Sequence, residues 1–400
     1  MSVLAASLAG ALSVGGWWEY RRHMKHVRAI PSRIHVNGTR GKSSVTRLIA
    51  GGLRAGGIRT FAKTTGTEPR MIFPDGREEH IPRPGRANII EQLKVFRRAA
   101  EEESQAIVVE CMALQPHIQW LAEHRIVKST VGVITNVRAD HLDVMGPTVA
   151  DVARFLSATI PKGGILFTAE RELLPVLRER AAALGTQVVA SAESEVTEAE
   201  IRSFGYVEHR ENVALALRVA GHFGVARAAA LEGMRRCTPD PGVLRVHRIR
   251  YFQKEIEFAN AFAANDRDST LLIFQRLGLG SVPGRRSIVI FNSRGDRIQR
   301  AEQFADMIAA DMGRVDAVIL TGDLTGAVVN RAVRHGAPEE KIVDLGDLRE
   351  EQVNLVFEAV LDATPEKALV VGVGNIGGLG HAIVHFFQNR GEDEHGSAAS

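Results

Sequence analysis

The sequence predicts an α/β protein: a phosphate-loop unit built on a parallel-type sheet, followed by a smaller, Rossmann-like α/β unit. Three observations carry that expectation. Short apolar runs of buried-strand type alternate with stretches of helical spacing along most of the 400 residues. A glycine-punctuated turn, "NGTRGKSS", joins the first run to the first helix after it. A Pro/Gly-rich break, "TPDPGV" at Thr238 to Val243, divides the pattern in two.

The chain opens on "VLAASLAGALSVGGWW", Val3 to Trp18, which carries no charge and runs straight into "EYRRHMKHVR". A membrane-crossing helix takes about twenty apolar residues, so this stretch is short for one. Trp17 and Trp18 suit a membrane interface, and Arg21, Arg22 and Lys25 would hold the rest of the chain on the cytoplasmic face. A cleaved signal peptide has its positive charge before the apolar run, and none is present there. Residues 1–32 are therefore expected to form a membrane anchor and basic linker. Residues 33–243 are expected to form the phosphate-loop domain, 244–390 the second α/β domain, and 391–400, "GEDEHGSAAS" from Gly391, a disordered tail.

At the loop, "RIHV" reads as a strand with Ile34 and Val36 apolar. "SVTRLIAGGLRAGG" places Val45, Leu48, Ile49 and Leu53 near helical spacing. The first turn of a helix offers unpaired amides and a positive dipole end, which suit an anion. Gly38 and Gly41 let backbone approach a phosphate, with Thr39, Arg40 and Ser44 completing the loop. Lys42 adds charge, and the Ser43 hydroxyl can hold a metal ion. A Walker A loop has glycine five residues before Gly41, where Val36 stands. The pattern here is instead G-T-x-G-K-S-S.

Next comes "AKTTGTEPR", with Lys63, Thr64, Thr65 and Thr67, read as a loop after a strand that can close on the bound ligand. "ANIIEQLKVFRRAAEEE" reads as a helix, and "AIVVECM" as a buried strand that ends at Glu110. "VGVITNV" is another, followed by "RADHLDVMGPT", so that Asn136, Asp140, His141 and Asp143 sit just past a strand end. Acid and imidazole side chains at strand ends beside a phosphate loop can hold Mg²⁺, which favours oxygen ligands. "ILFTAE" and "TQVVAS" continue as strands, and "RENVALALRVAGHFGV" as an amphipathic helix. Past the break, "RSIVIFNSRGDR", "DAVILTGD" and "EKALVVGVGNIGG" are strands ending in polar loops, the first carrying Arg294.

Several function classes fall away. Gly372, Gly374 and Gly377 make a formal G-x-G-x-x-G, but no βαβ unit with a later acid follows, so a dinucleotide site is excluded. Net charge is only +3, with no basic run interleaved with aromatics, so nucleic acid is not an expected partner. Cys111 and Cys237 are too few for a disulfide framework and point to a reducing compartment.

The G-T-x-G-K-S loop, then a strand-end Glu110, then N-x-x-x-D-H from Asn136 to His141, resembles the Mur ligase superfamily in type and order. The resemblance implies a Mur-ligase-like fold, with ATP between the two domains. It also implies amide-bond formation through an acyl phosphate. Lys42, Glu110 and His141 would be catalytic, with Mg²⁺ (or Mn²⁺) on Ser43, Glu110 and His141. "PGVLRVHR" resembles the linker arginine that touches ATP, Arg245 first and Arg248 second. "NAFAANDRDST" resembles a segment near the adenine, with Asn265 and Asp266 at its centre and Phe262 and Ala264 where Tyr and His are usual. "FNSRGDR" resembles a G-G-D-R-like loop of the third domain. Many Mur ligases carry a carbamylated lysine where Arg154 and Phe155 stand here, and Lys162 comes later. Before Val36 there is no room for a uridine-nucleotide domain. "HVNGTRGKSSVTRL", "ECMALQP", "DHLDVMGPT", "TPDPG" and "VVGVGNIGG" together resemble the ligase-subunit family of poly-γ-glutamate synthases over nearly the whole chain. That implies glutamate and a growing poly-γ-glutamate chain as substrates, small membrane subunits as partners, and an oligomer. A folylpolyglutamate synthase-like ligase is the alternative enzyme. A membrane ATPase driving polymer export is the alternative of another class.

Overall fold

The computed structural model describes all residues except 1, 67–68, 84–87, 140–141, 205, 207, 240–243, 263–266, 296–297 and 391–400. The chain forms two compact units, Met1–Asp240 and Pro241–Ser400.

In the first unit, helix α1 spans Ser2–Ala29. Leu12, Val14, Trp17 and Trp18 stand exposed, whereas His23, Val27 and the following Ile30 are buried. The His23 Nε2–H donates to the Ile126 carbonyl at 2.8 Å, and its ring meets Phe96 edge-on. The C-terminal part of α1 is thus tied into the core. Among the described residues no helix is long and apolar enough to cross a membrane.

Eight strands follow: β1 Ser32–Asn37, β2 Thr60–Thr64, β3 Arg70–Ile72, β4 Glu78–His80, β5 Ala106–Glu110, β6 Val131–Ile134, β7 Ile165–Thr168 and β8 Gln187–Ala190. Their order is β4-β3-β2-β5-β1-β6-β7-β8. The pairings from β2 through β8 are parallel, as the buried apolar runs predict. The two short strands β3 and β4 add antiparallel at one edge, so the sheet is mixed rather than purely parallel. Strands alternate faces. Ile34 and Val36 of β1 pack under α2 (Lys42–Ala55) with Leu48, Ile49, Val213 and Leu215. The opposite face holds Phe61, Phe73, Ile107 and Val109 against Val95 and Phe96 of α3 (Glu91–Glu101). On that face β1 presents His35 and Asn37, both buried.

The second unit carries β9 Arg245–Tyr251, β10 Lys254–Asn260, β11 Arg286–Ser293, β12 Ala317–Gly322, β13 Ile342–Asp344 and β14 Lys367–Gly374. Their order is β13-β12-β11-β14-β10-β9, parallel except for the β9–β10 hairpin. Its core packs Ile256, Phe258, Ile288, Ile290 and Val370 against Phe357, Ile383 and Phe387 of the covering helices. Arg245 opens strand β9, where the sequence reading has it in a linker: the antiparallel register with β10 runs as far as the Arg245–Asn260 pair.

Candidate active site

The centre of the first sheet holds the loop. β1 lies between β5 and β6, and the chain leaves its carboxyl end through Gly38 to Gly41 into α2. Ligands of open α/β sheets sit at strand carboxyl ends. Gly38 (φ +133°) and Gly41 (φ +78°) adopt backbone that side chains disfavour. Each is also crowded: a Cβ on Gly38 would lie 2.0 Å from Thr135 Oγ1, and one on Gly41 2.7 Å from Asn212 Oδ1.

The loop is braced from β6. Asn136 Oδ1 accepts from Thr39 Oγ1 at 2.7 Å and from the Arg40 amide at 3.1 Å. Thr135 Oγ1 donates to the Arg40 carbonyl at 2.6 Å. Asn136 is buried and spent on this brace. No side chain caps α2, so the amides of Lys42, Ser43 and Ser44 have no helical partner. Among the described residues, Lys42 Nζ bonds only carbonyls of its own loop, Gly38 at 2.7 Å and Thr39 at 3.2 Å. An ammonium held at the loop's centre and open first-turn amides together make an anion cradle.

Ser43 and Glu110, far apart in sequence, meet at the loop's edge. Ser43 Oγ donates to Glu110 Oε2 at 2.8 Å, and the Thr65 amide donates to the same oxygen at 2.6 Å. A hydroxyl and a carboxylate beside a phosphate cradle are the oxygen donors that Mg²⁺ takes, so the residues present fit that ion. Among the described residues no group of three or more His, Cys, Asp or Glu could hold a metal. Asp140 and His141, the other expected ligands, lie outside the described residues, as does the Asp143 side chain.

The loop read at Lys63 to Thr67 is corrected in part. Lys63 and Thr64 are the last residues of β2, because its parallel pairing with β5 extends to Lys63–Val109. Lys63 is fully buried and bonds Glu91 Oε1 at 3.0 Å. Burial lowers its pKa, against the pull of Glu91 and Glu110. Thr65 does follow the strand, while Thr67 is outside the described residues. In the second unit, the Arg245 side chain, Asn265, Asp266 and Ala264 lie outside the described residues. Phe262 is buried in that unit's core, and Arg248 lies along β9, 3.6 Å from Glu257. Arg294 follows β11 and is exposed. Arg154 is paired with Asp151 on its own helix.

A cleft of about 220 Å³ opens beside the loop, lined among others by Gly38, Thr39, Lys42, Thr65, Arg83 and Met112. Sequence reasoning missed Arg83, Glu91, Thr135 and Asn212. A lysine on a buried strand needs an acid, so Lys63 did call for a partner such as Glu91. The other three carry no local signal.

An uncapped phosphate loop at the centre of an eight-stranded sheet, followed by a separate six-stranded α/β unit, defines a protein of the Mur ligase type. The Mur ligase middle domain is matched by residues 36–228, and the Poly-gamma-glutamate synthase CapB C-terminal domain by residues 246–390. The chain belongs to the CapB family of Mur ligases. It is 37% identical to "PGA synthase CapB" of Bacillus subtilis over 371 residues, 92% of this chain and 93% of that one. It is also 37% identical to "Capsule biosynthesis protein CapB" of Bacillus anthracis over 375 residues, 93% and 80% of the two chains. Among solved structures, Mycobacterium tuberculosis folylpolyglutamate synthase, complexed with ADP and AMPPCP, superposes with TM-score 0.67 at 20% identity over 96% of this chain and all of that one. MurF of Acinetobacter baumannii gives 0.65 at 15%, over 93% and 78%. At those identities the likeness shows the fold. A Yersinia pestis folylpolyglutamate synthase/dihydrofolate synthase of the same fold was solved with AMPPNP and a Mn ion.

Proposed function

We propose that this chain joins glutamate units into poly-γ-glutamate, using ATP to activate a carboxylate as an acyl phosphate. It is an ATP-dependent amide ligase. The observation that carries the glutamate reading is the 37% identity to PGA synthase CapB across nearly the full length of both chains.

The residues divide the work. Lys42 and the amides of Lys42, Ser43 and Ser44 bind the phosphates of ATP and neutralise charge as the γ-phosphoryl group moves. Ser43 and Glu110 would hold Mg²⁺, with His141 as a further ligand. The ion, when bound, supplies charge neutralisation on the phosphate oxygens. The Glu110 carboxylate is kept in place by the Thr65 amide. A substrate γ-carboxylate oxygen attacks the γ-phosphorus and ADP leaves. The incoming amine then attacks the acyl carbon, loses a proton and expels phosphate. Arg245, Asn265 and Asp266 are proposed to complete the ATP site, and Arg294 to serve the substrate.

We also propose attachment to the cytoplasmic face of the membrane, together with small membrane subunits and as an oligomer. What supports attachment is the exposure of Leu12, Val14, Trp17 and Trp18, with Arg21 over the Trp17 ring at 4.4 Å and Arg22 over Trp18 at 5.7 Å. Aromatic and basic side chains in that array suit an interface.

The test is incubation of membranes containing the full chain with ATP, Mg²⁺ and labelled glutamate, followed by analysis of the linkage. The expected product is γ-linked and yields only glutamate on acid hydrolysis. ATP hydrolysis with no new amide would leave an export ATPase instead.

A further inference from the structure

The cleft beside the phosphate loop has a charged wall that phosphate binding leaves without a task. Glu91, at the start of α3, accepts from Arg83 Nε at 2.7 Å and Nη2 at 3.0 Å, and from Lys63 Nζ at 3.0 Å. One carboxylate therefore holds both an arginine and a lysine side chain. Burial pushes the Glu91 carboxyl up, but the bonds from Arg83 and Lys63 outweigh it, so it titrates below its usual range. The trio is fixed: Lys63 is wholly buried and its Nζ also reaches Met112 Sδ at 3.4 Å. Arg83 spends two fork nitrogens on Glu91, which leaves Nη1 outside that pair, and its side chain lines the same cleft as Lys42 and Thr65. A rigid guanidinium with a spare donor is suited to a carboxylate. A cleft of about 220 Å³ is on the scale of one amino acid, taking a water's share of liquid as about 30 Å³.

We infer that Arg83 is a specificity residue that binds the α-carboxylate of the glutamyl unit whose γ-carboxylate is presented to the phosphate loop. Glu91 and Lys63 are positioning residues that hold the guanidinium. The inference rests on the glutamate reading and deepens it. It explains why an enzyme that activates the γ-carboxylate needs a cation away from the phosphates: the α-carboxylate must be held apart from them, or either carboxylate could be phosphorylated.

The experiment compares glutamate with its α-amide, isoglutamine, which keeps the γ-carboxylate and the shape but loses the α-charge. The readout is hydroxamate formed from the activated carboxyl when full-length chain in membranes is given ATP, Mg²⁺ and hydroxylamine. The wild-type chain is expected to prefer glutamate by about 10- to 100-fold in kcat/KM, the range of one charge-assisted contact. In Arg83→Met that preference should fall to near unity through KM for glutamate, with KM for ATP unchanged. Arg83→Lys, which keeps the charge but not the fork, covers the case in which the Met variant does not fold, and should show an intermediate preference. Glu91→Gln should weaken the preference without abolishing hydroxamate. An Arg83→Lys chain with the full wild-type preference would overturn the inference while leaving the glutamate reading intact. Failure of the wild-type chain to form any hydroxamate from glutamate would overturn the reading beneath it.

Discussion

Two glycine-rich turns in this molecule start from similar places and end in different chemistry. Each follows a strand flanked by two parallel neighbours, β1 or β14, and each leads into a helix with no side-chain cap. Each contains glycines at positive φ, Gly38 and Gly41 in the first, Gly374 and Gly378 in the second. The first carries its own cation and a hydroxyl, Lys42 and Ser43, with Glu110 at hydrogen-bond distance. The second ties up its own polar groups. Asn292 Nδ2 donates to the carbonyls of Asn375 (2.6 Å) and Gly377 (3.2 Å), and the Gly377 amide donates to Asn375 Oδ1 at 2.8 Å. The strands beneath differ in the same sense. β1 stands on buried His35 and Asn37, whereas among the described residues the second unit buries no ionisable side chain. Glycine spacing therefore sets the turn. The charged groups around it set what the turn can hold.

Substitutions separate the two turns. The largest effect is expected at Lys42→Ala: ATP turnover should fall at least about a hundredfold, the loss typical of one preorganised charge donor. Stability should barely change, since among the described residues Lys42 Nζ bonds only its own loop. Wild-type turnover in this variant would sink the first loop as the phosphate site. Next come matched changes, Gly38→Ala and Gly374→Ala. Both meet packed atoms at positive φ, Thr135 Oγ1 at 2.0 Å and the Asn292 carbonyl at 2.6 Å. Each should lose about 1–3 kcal/mol in denaturant unfolding, but only Gly38→Ala should also abolish nucleotide binding by the folded protein. Equal loss of nucleotide binding in both would erase the distinction.

A pH experiment sharpens the contrast between the strands. Burial pushes the His35 imidazolium down, but the neighbouring Cys111 and the pair with Glu123 outweigh this and raise its pKa to about 9 from an ordinary 6.5. Glu123 is itself held, accepting from the Ser129 amide and hydroxyl at 2.9 Å each. A raised folded value means the stabilisation is complete below about 6.5 and is lost as pH climbs through about 9. Unfolding free energy should decline over that window in the wild-type chain and stay flatter in His35→Gln. Parallel profiles would show that the pair does not titrate there. Last comes Asn292→Ala, which should cost about 1–3 kcal/mol for stranded carbonyls, comparable to the glycine variants in stability but without loss of nucleotide binding, read by chemical denaturation of the full chain.

The main strands and the larger helices were legible because apolar runs and helical spacing mark them directly. The phosphate loop was legible because strand, glycines, Lys42 and Ser43 are contiguous. That Ser43 and Glu110 share a site followed from the family resemblance alone; their contact joins the start of α2 to the end of β5. What stayed hidden depends on long-range placement. β3 and β4 have three residues each, too few to show alternation. Lys63 and Thr64 look like loop because polar residues at a strand end resemble the turn after it. The Arg83–Glu91–Lys63 trio brings together a loop, a helix start and a strand end, and no spacing rule connects them.

The central claim is that the Gly38–Ser44 loop transfers phosphate to a carboxylate rather than to water. The direct measurement uses glutamate labelled with ¹⁸O in its γ-carboxylate and analyses the phosphate released. One carboxylate oxygen becomes the bridge to phosphorus and departs with it when the amine attacks. ¹⁸O is expected in the released phosphate alongside a new γ-amide, with both lost in Lys42→Ala. Unlabelled phosphate from an otherwise active chain would contradict the claim.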